Sequence, residues 1–241
     1  LKYLAHDING ISVPWLYCGS LFTSFCYHVE DLHMMSINYM HESDCEETGG
    51  KIWYGSPPGE GALLFEAALR SSVPRLFEAQ PDLGHDIVTM VSPVELIDRG
   101  AKVYRTIQRP GEFVVTLPQS YHGGFSLGFN VGEAVNFFTP DCLPWMRSGV
   151  EICRFYRRQP VFCLTELLMA VAERIPFHAD LTERDAIILE NELTEICDDE
   201  SQIRWIVVRA LGGFFDVADD IGEQGQVCSL CRQWCFLSLL R

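Results

Sequence analysis

Phe25-Cys26-Tyr27-His28-Val29-Glu30-Asp31 is the stretch from which the rest of the chain is read. Aromatic and β-branched residues without Gly or Pro predict a strand here, running from Phe22 to Val29. Side chains at i and i+2 of a strand share a face, so His28 and Glu30 are candidates to grip one metal ion. A third ligand would complete a two-His-one-carboxylate facial triad, which leaves three positions open on iron(II). His122, just after a strand predicted over Glu112–Leu117, is the best candidate. His6, His33, His41, His85 and His178 stay open on spacing alone, and a His-x-Glu triplet also arises by chance.

Outward from this stretch, short apolar runs broken by Gly and Pro predict further strands at Ser12–Leu16, Met35–Met40, Lys51–Tyr54, Ile87–Met90, Val103–Ile107, Phe113–Leu117 and Ala134–Thr139. Helical insertions are expected at Gly61–Arg70 and Pro93–Arg99. Many short strands with turn signals between them point to a sandwich or barrel of jelly-roll type. After Pro160 the spacing turns helical. Thr165–Ile175 stops at Pro176, Thr182 with Asp185 forms a capping-box pattern opening a helix toward Cys197, and Gln202–Leu211 reads as another helix ended by Gly212–Gly213. The acidic run Glu42–Glu47 reads as a solvated loop. The expected organisation is a β-rich domain over 1–160, a helical domain over 161–226 and the start of a further module over 227–241.

The 241 residues are 48% hydrophobic and 21% charged, the composition of a globular chain with a substantial core. Lys and Arg number 18 against 33 Asp and Glu, a net charge of −15. Such a surface disfavours phosphate backbones and favours basic partners, so direct nucleic acid binding by this segment is not expected. Ile8–Val29 lacks Asp, Glu, Lys and Arg, but Asn9, Gly10, Pro14, Gly19 and His28 make it a poor bilayer helix, and no membrane partner is expected. Ten cysteines are too few for a secreted disulfide scaffold, and seven scattered ones read as reduced, small core hydrophobes. The chain opens on Leu1, as a fragment of a longer protein would.

Collinear motifs carry a resemblance. After the opening stretch come Ser36-Ile37-Asn38-Tyr39, Lys51-Ile52-Trp53-Tyr54-Gly55, Leu76-Phe77-Glu78-Ala79-Gln80-Pro81-Asp82-Leu83 and Val103-Tyr104-Arg105-Thr106. Gly111-Glu112-Phe113-Val114-Val115-Thr116, Tyr121-His122-Gly123-Gly124-Phe125 and Glu133-Ala134-Val135-Asn136-Phe137 follow in order. Together they resemble the JmjC domain of histone lysine demethylases, the JARID subfamily above all. The resemblance implies a mainly β fold with helices, a double-stranded β-helix (jelly roll, cupin-like) followed by a small helical domain. It implies iron(II) held by His28, Glu30 and His122, with 2-oxoglutarate and O2 as cosubstrates. Lys51 would pair with the distal carboxylate of 2-oxoglutarate, Asn38 would hydrogen-bond it, and Phe25, Ser36 and Trp53 would line its pocket. Tyr17 and Asn136 would lie toward the substrate. The implied reaction is N-methyl hydroxylation of tri- or dimethyl-lysine 4 of histone H3, releasing formaldehyde, succinate and CO2. The implied setting is the nucleus, with the methylated histone H3 tail and chromatin complexes as partners.

The chain departs from the family pattern at Tyr27, where Trp is usual, and at Gly123 and Ser126, where close relatives have Ser and Asn. It also lacks the upstream JmjN segment and a tyrosine that helps bind oxoglutarate, read here as truncation. Cys228-Ser229-Leu230-Cys231 followed by Cys235 resembles the opening of the zinc finger that follows the domain in this subfamily. On that resemblance the three thiols would be part of a zinc site completed in the parent protein. Two other functions stay open: a catalytically weak JmjC scaffold that binds chromatin or partner proteins, and a JmjC oxygenase acting on another lysine or on a hydroxylated side chain.

Overall fold

The computed structural model describes residues 1–44, 49–174, 181–212 and 226–235. The chain separates into two compact units, His6–Phe138 and Leu1–Ala5 with Thr139–Arg241.

The first unit is a double-stranded β-helix. Its strands are β1 (Trp15–Gly19), β2 (Ser24–His28), β3 (Met35–Ser43), β4 (Lys51–Gly55), β5 (Tyr104–Gln108), β6 (Phe113–Thr116), β7 (His122–Ser126) and β8 (Asn130–Phe137). They form two antiparallel sheets, ordered β1-β8-β3-β6 and β2-β7-β4-β5. Between β4 and β5 the chain inserts α1 (Glu60–Ser72), α2 (Pro74–Ala79) and α3 (Pro93–Asp98). Phe65, Leu69, Phe77 and Leu96 of these helices bury against Tyr27 and Tyr121, with Phe65 stacked on Tyr121 at 5.0 Å. Period-2 alternation sends neighbouring His28 and His122 to the opposite side, so helical packing stiffens the strands that carry the candidate ligands.

Several expectations shift. The strand expected from Phe22 begins at Ser24, because Phe22 adopts φ +63 after a turn in which Thr23 N donates to Ser20 O. Pro14 and the turn at Ile8–Val13 move β1 toward Gly19. Ile87–Met90 is not a strand: Ile87 and Val88 are exposed with no ladder partner, and only Thr89 O touches β2, accepting from Tyr27 N. Strand β7 was not among the expected strands, since Gly123–Gly124 lack the β-branched and aromatic character of the other runs. Glu42, placed in a loop by its charge, pairs with Val131 beyond a bulge in β3; residues 45–48 of that run lie outside the described residues.

The second unit contains α4 (Leu143–Phe155), α5 (Leu164–Ala172) and α6 (Glu183–Leu211), then β9 (Gln226–Val227) and β10 (Trp234–Cys235). The two helices expected over 182–211 are one: Asp198-Asp199-Glu200-Ser201 contains no breaker and is tolerated on a solvated helix face. The capping box is present, with Asp185 N donating to Thr182 Oγ1 at 3.2 Å, and Gly212 at φ +79 ends the helix. The nine described cysteines are free, and only Cys142 is buried; Cys18 and Cys197 are exposed, so the core role expected of them does not hold. Among the described residues no helix is long and apolar enough to cross a membrane.

Candidate metal and anion site

His28 and His122 are cross-strand partners in the β2–β7 ladder, with ring centroids 4.3 Å apart. Glu30 lies just past β2, but its backbone stays extended (φ −65, ψ 152), which preserves the i, i+2 relation to His28. The chain then reverses through Leu32 and His33, both at positive φ. His28, Glu30 and His122 bring one ligand atom each within 4.8 Å of one another, and no other His, Cys, Asp or Glu trio among the described residues does so. His122 Nε2 is 3.3 Å from Glu30 Oε1.

The protonation pattern suits a cation. His28 Nδ1 donates to Cys26 O at 2.8 Å and His122 Nδ1 donates to Ser120 O at 3.0 Å. Only an N–H can satisfy a carbonyl, so each ring turns its Nε2 toward the shared space. Burial and the neighbouring His122 push His28 down to about 4, against the opposing pull of Glu30. Burial favours the neutral acid at Glu30, yet the His122 hydrogen bond, both imidazoles and the Asn136 amide outweigh it and hold the carboxyl at about 2. A neutral imidazole and an ionised carboxylate are the states a divalent metal requires. The donor set, two nitrogens and one oxygen, fits iron(II).

Beside the trio sits a half-buried cation. Lys51 Nζ lies 5.6 Å from the Phe25 ring centroid and 6.0 Å from that of Tyr17, and no carboxylate among the described residues pairs with it. Burial alone lowers its ammonium below the ordinary range. A desolvated ammonium without a counter-charge is a receptor for an anion. Trp53 packs edge-on against Phe25 at 4.6 Å and lies 6.1 Å from the His122 ring, bridging cation and metal trio.

The opposite sheet contributes polar groups. Asn38 Nδ2 donates to Ser36 Oγ at 3.2 Å, and Ser36 Oγ lies 2.6 Å from Thr116 Oγ1. Gln108 links the two sheets: it accepts from Trp53 Nε1 at 3.0 Å and donates to Asn38 O at 3.0 Å. Asn136 donates to Met35 O at 3.2 Å and also hydrogen-bonds Glu30, so it braces the carboxylate. Tyr17 is partly exposed and feels the Glu30 charge, which with burial raises its phenol. The sequence reading did not single out Gln108, Thr116 or Gly124. Gly124 admits no side chain, since a Cβ there would lie 1.9 Å from Ile52 O.

Cys228, Cys231 and Cys235 lie at the β9–β10 hairpin, where Cys228 N donates to Gln233 O at 2.8 Å. They do not converge as the His-Glu-His trio does. Backbone N–H groups of Cys231 and Leu230 favour the Cys228 thiolate, whereas burial raises the Cys235 thiol.

Residues 15–137 match the family described as JmjC domain, hydroxylase. Over 247 aligned residues the chain is 41% identical to lysine-specific demethylase JMJ17 of Arabidopsis thaliana, covering 100% of this chain and 20% of that protein. It is 39% identical to lysine-specific demethylase 5B of Gallus gallus (99% of this chain, 15% of that protein). Against lysine-specific demethylase 5D of Homo sapiens the identity is 38% (100% and 15%). The chain therefore spans a fifth or less of the length of these relatives.

Proposed function

Because this chain belongs to the JmjC domain family, we propose that it is an iron(II)- and 2-oxoglutarate-dependent dioxygenase demethylating tri- and dimethyl-lysine 4 of histone H3. The observation that carries the reading is the convergence of His28, Glu30 and His122 beside the unpaired ammonium of Lys51. His28, Glu30 and His122 hold iron(II). Lys51 pairs with the distal carboxylate of 2-oxoglutarate, Asn38 hydrogen-bonds it, and Phe25, Ser36 and Trp53 line its pocket. When bound, iron and cosubstrate supply the oxidation of an N-methyl group by O2, with formaldehyde, succinate and CO2 as products.

The chain's residues supply placement. The carbonyls of Cys26 and Ser120 fix both histidine tautomers, and Asn136 steadies the carboxylate. Phe25 and Trp53 exclude water around Lys51, which strengthens its pairing with a dianion. Tyr17, half-exposed at the rim, contacts the methylated lysine with Asn136 nearby. The charge of −15 favours a basic tail as substrate. The parent protein works in the nucleus with chromatin complexes; residues 1–160 form its JmjC catalytic domain, 161–226 a helical domain and 227–241 the start of a zinc finger using Cys228, Cys231 and Cys235.

Mass spectrometry of histone H3 tail peptides tests the reading. With iron(II), 2-oxoglutarate and O2, a peptide trimethylated at lysine 4 loses methyl groups and one trimethylated at another lysine does not. Turnover of the second peptide alone would move the substrate to another lysine. Binding of both peptides without turnover, by a protein that holds iron, would support the scaffold instead.

A further inference from the structure

Asn130 is a fully buried amide whose carbonyl oxygen has no donor among the described residues. Its Nδ2 donates to Gly128 O at 3.1 Å, while Oδ1 is left over, an arrangement that costs free energy unless something else pairs with it. Its position follows from the two sheets. Asn130 opposes Gly19 in the β1–β8 ladder, and a Cβ on Gly19 would lie 3.2 Å from Asn130 Oδ1 and 2.5 Å from Ser126 Oγ. The amide and the hydroxyl thus converge over the Gly19 backbone. Ser126 is in turn the cross-strand partner of Lys51, so both side chains point to one face of that sheet. Two residues along β8 from Asn130, on the same face, Gly132 lies under the ammonium: a Cβ there would be 3.9 Å from Lys51 Nζ.

Lys51 therefore runs from Ser126 at its foot to Gly132 beneath its head, alongside a buried acceptor that lacks a donor. The ammonium has three N–H donors and no carboxylate partner among the described residues. We propose that Asn130 is a positioning residue for Lys51, its Oδ1 and the Ser126 hydroxyl accepting the ammonium N–H bonds that a bound dicarboxylate leaves free. This rests on the reading of Lys51 as the partner of the distal carboxylate. Serine at 126 is short enough to leave the longer Asn130 this role, and glycine at 19 and 132 keeps the space open.

Calorimetric titration of 2-oxoglutarate and of oxalate into the manganese(II)-loaded chain tests it, with Asn130→Leu, Asn130→Asp and Lys51→Ala alongside. Asn130→Leu weakens 2-oxoglutarate about ten- to a hundredfold, the worth of one lost hydrogen bond to a charged group. Asn130→Asp weakens it further, because the new carboxylate pairs with Lys51 and competes with the dianion. Oxalate, which has no distal carboxylate, and manganese(II) itself keep their wild-type affinities in both variants; retained manganese binding also shows that each variant folds. Unchanged 2-oxoglutarate affinity in Asn130→Leu, or equal losses for oxalate and 2-oxoglutarate, would overturn the role of Asn130. If Lys51→Ala weakens 2-oxoglutarate and the Asn130 variants do not, only this inference falls; if Lys51→Ala has no effect, the reading of Lys51 falls with it.

Discussion

At Glu30, burial and hydrogen bonding pull in opposite directions, and the carboxyl settles at about 2 because two imidazoles and an amide face it. His28 is held near 4, so neutral pH finds it ready to ligate. The metal-free protein should therefore lose stability on acidification in two steps. As pH falls from 6.5 toward about 4, unfolded chains take up a proton at position 28 that the folded site resists; Glu30 adds a second loss between 4.5 and about 2. Urea unfolding across this range in chelator shows the slope, and His28→Asn flattens its upper part. An unchanged slope in that variant would refute the assignment. Thr116→Val, which strips the hydroxyl beside Ser36, should cost about 1 kcal/mol and weaken oxoglutarate binding a few-fold by calorimetry. The i, i+2 pair His28 and Glu30 was legible because strand period alone places them together. His122 was not separable from five other histidines until the resemblance singled it out, since its partner lies on a distant strand. Gln108 and Thr116 escaped notice because their roles arise across sheets, where sequence spacing carries no signal.

Strand β7 carries His122, the candidate third metal ligand, and was the element least visible in the sequence. Its two glycines look like a break, yet close approach to Ile52 and Tyr27 demands them. Gly124→Ala should destabilise the fold by about 3 kcal/mol or more, because its Cβ would strike Ile52 O on the neighbouring strand. Gly55→Ala, where the nearest atom is 3.5 Å from the added Cβ, should cost less than about 1 kcal/mol. Equal effects in denaturant melts would contradict the packing argument. The capping box was legible because its chemistry is local; removing it with Thr182→Ala should cost about 1 kcal/mol. The continuity of α6 was not, because a polar stretch without a breaker reads equally as a loop or as a solvated turn of helix.

For the whole molecule, alternating short strands announced a jelly roll before any motif was considered, while the pairing that closes it depends on contacts between remote segments. On the proposed reading the acidic surface and Lys51 would act at different ranges: the first would attract a basic tail over a Debye length or so, the second would select a dianion at contact. Metal binding should stabilise the folded chain by mass action, by about 2.7 kcal/mol at a hundredfold excess over Kd, and His122→Ala should abolish that gain in a thermal melt with manganese(II). The most direct test of the central claim is to titrate 2-oxoglutarate into the anaerobic iron(II) protein and record the visible metal-to-ligand charge-transfer band. The account predicts a saturable band that His122→Ala abolishes and Lys51→Ala shifts to higher 2-oxoglutarate concentration. A folded, iron-loaded protein that gives no band, or a band indifferent to both substitutions, would contradict it.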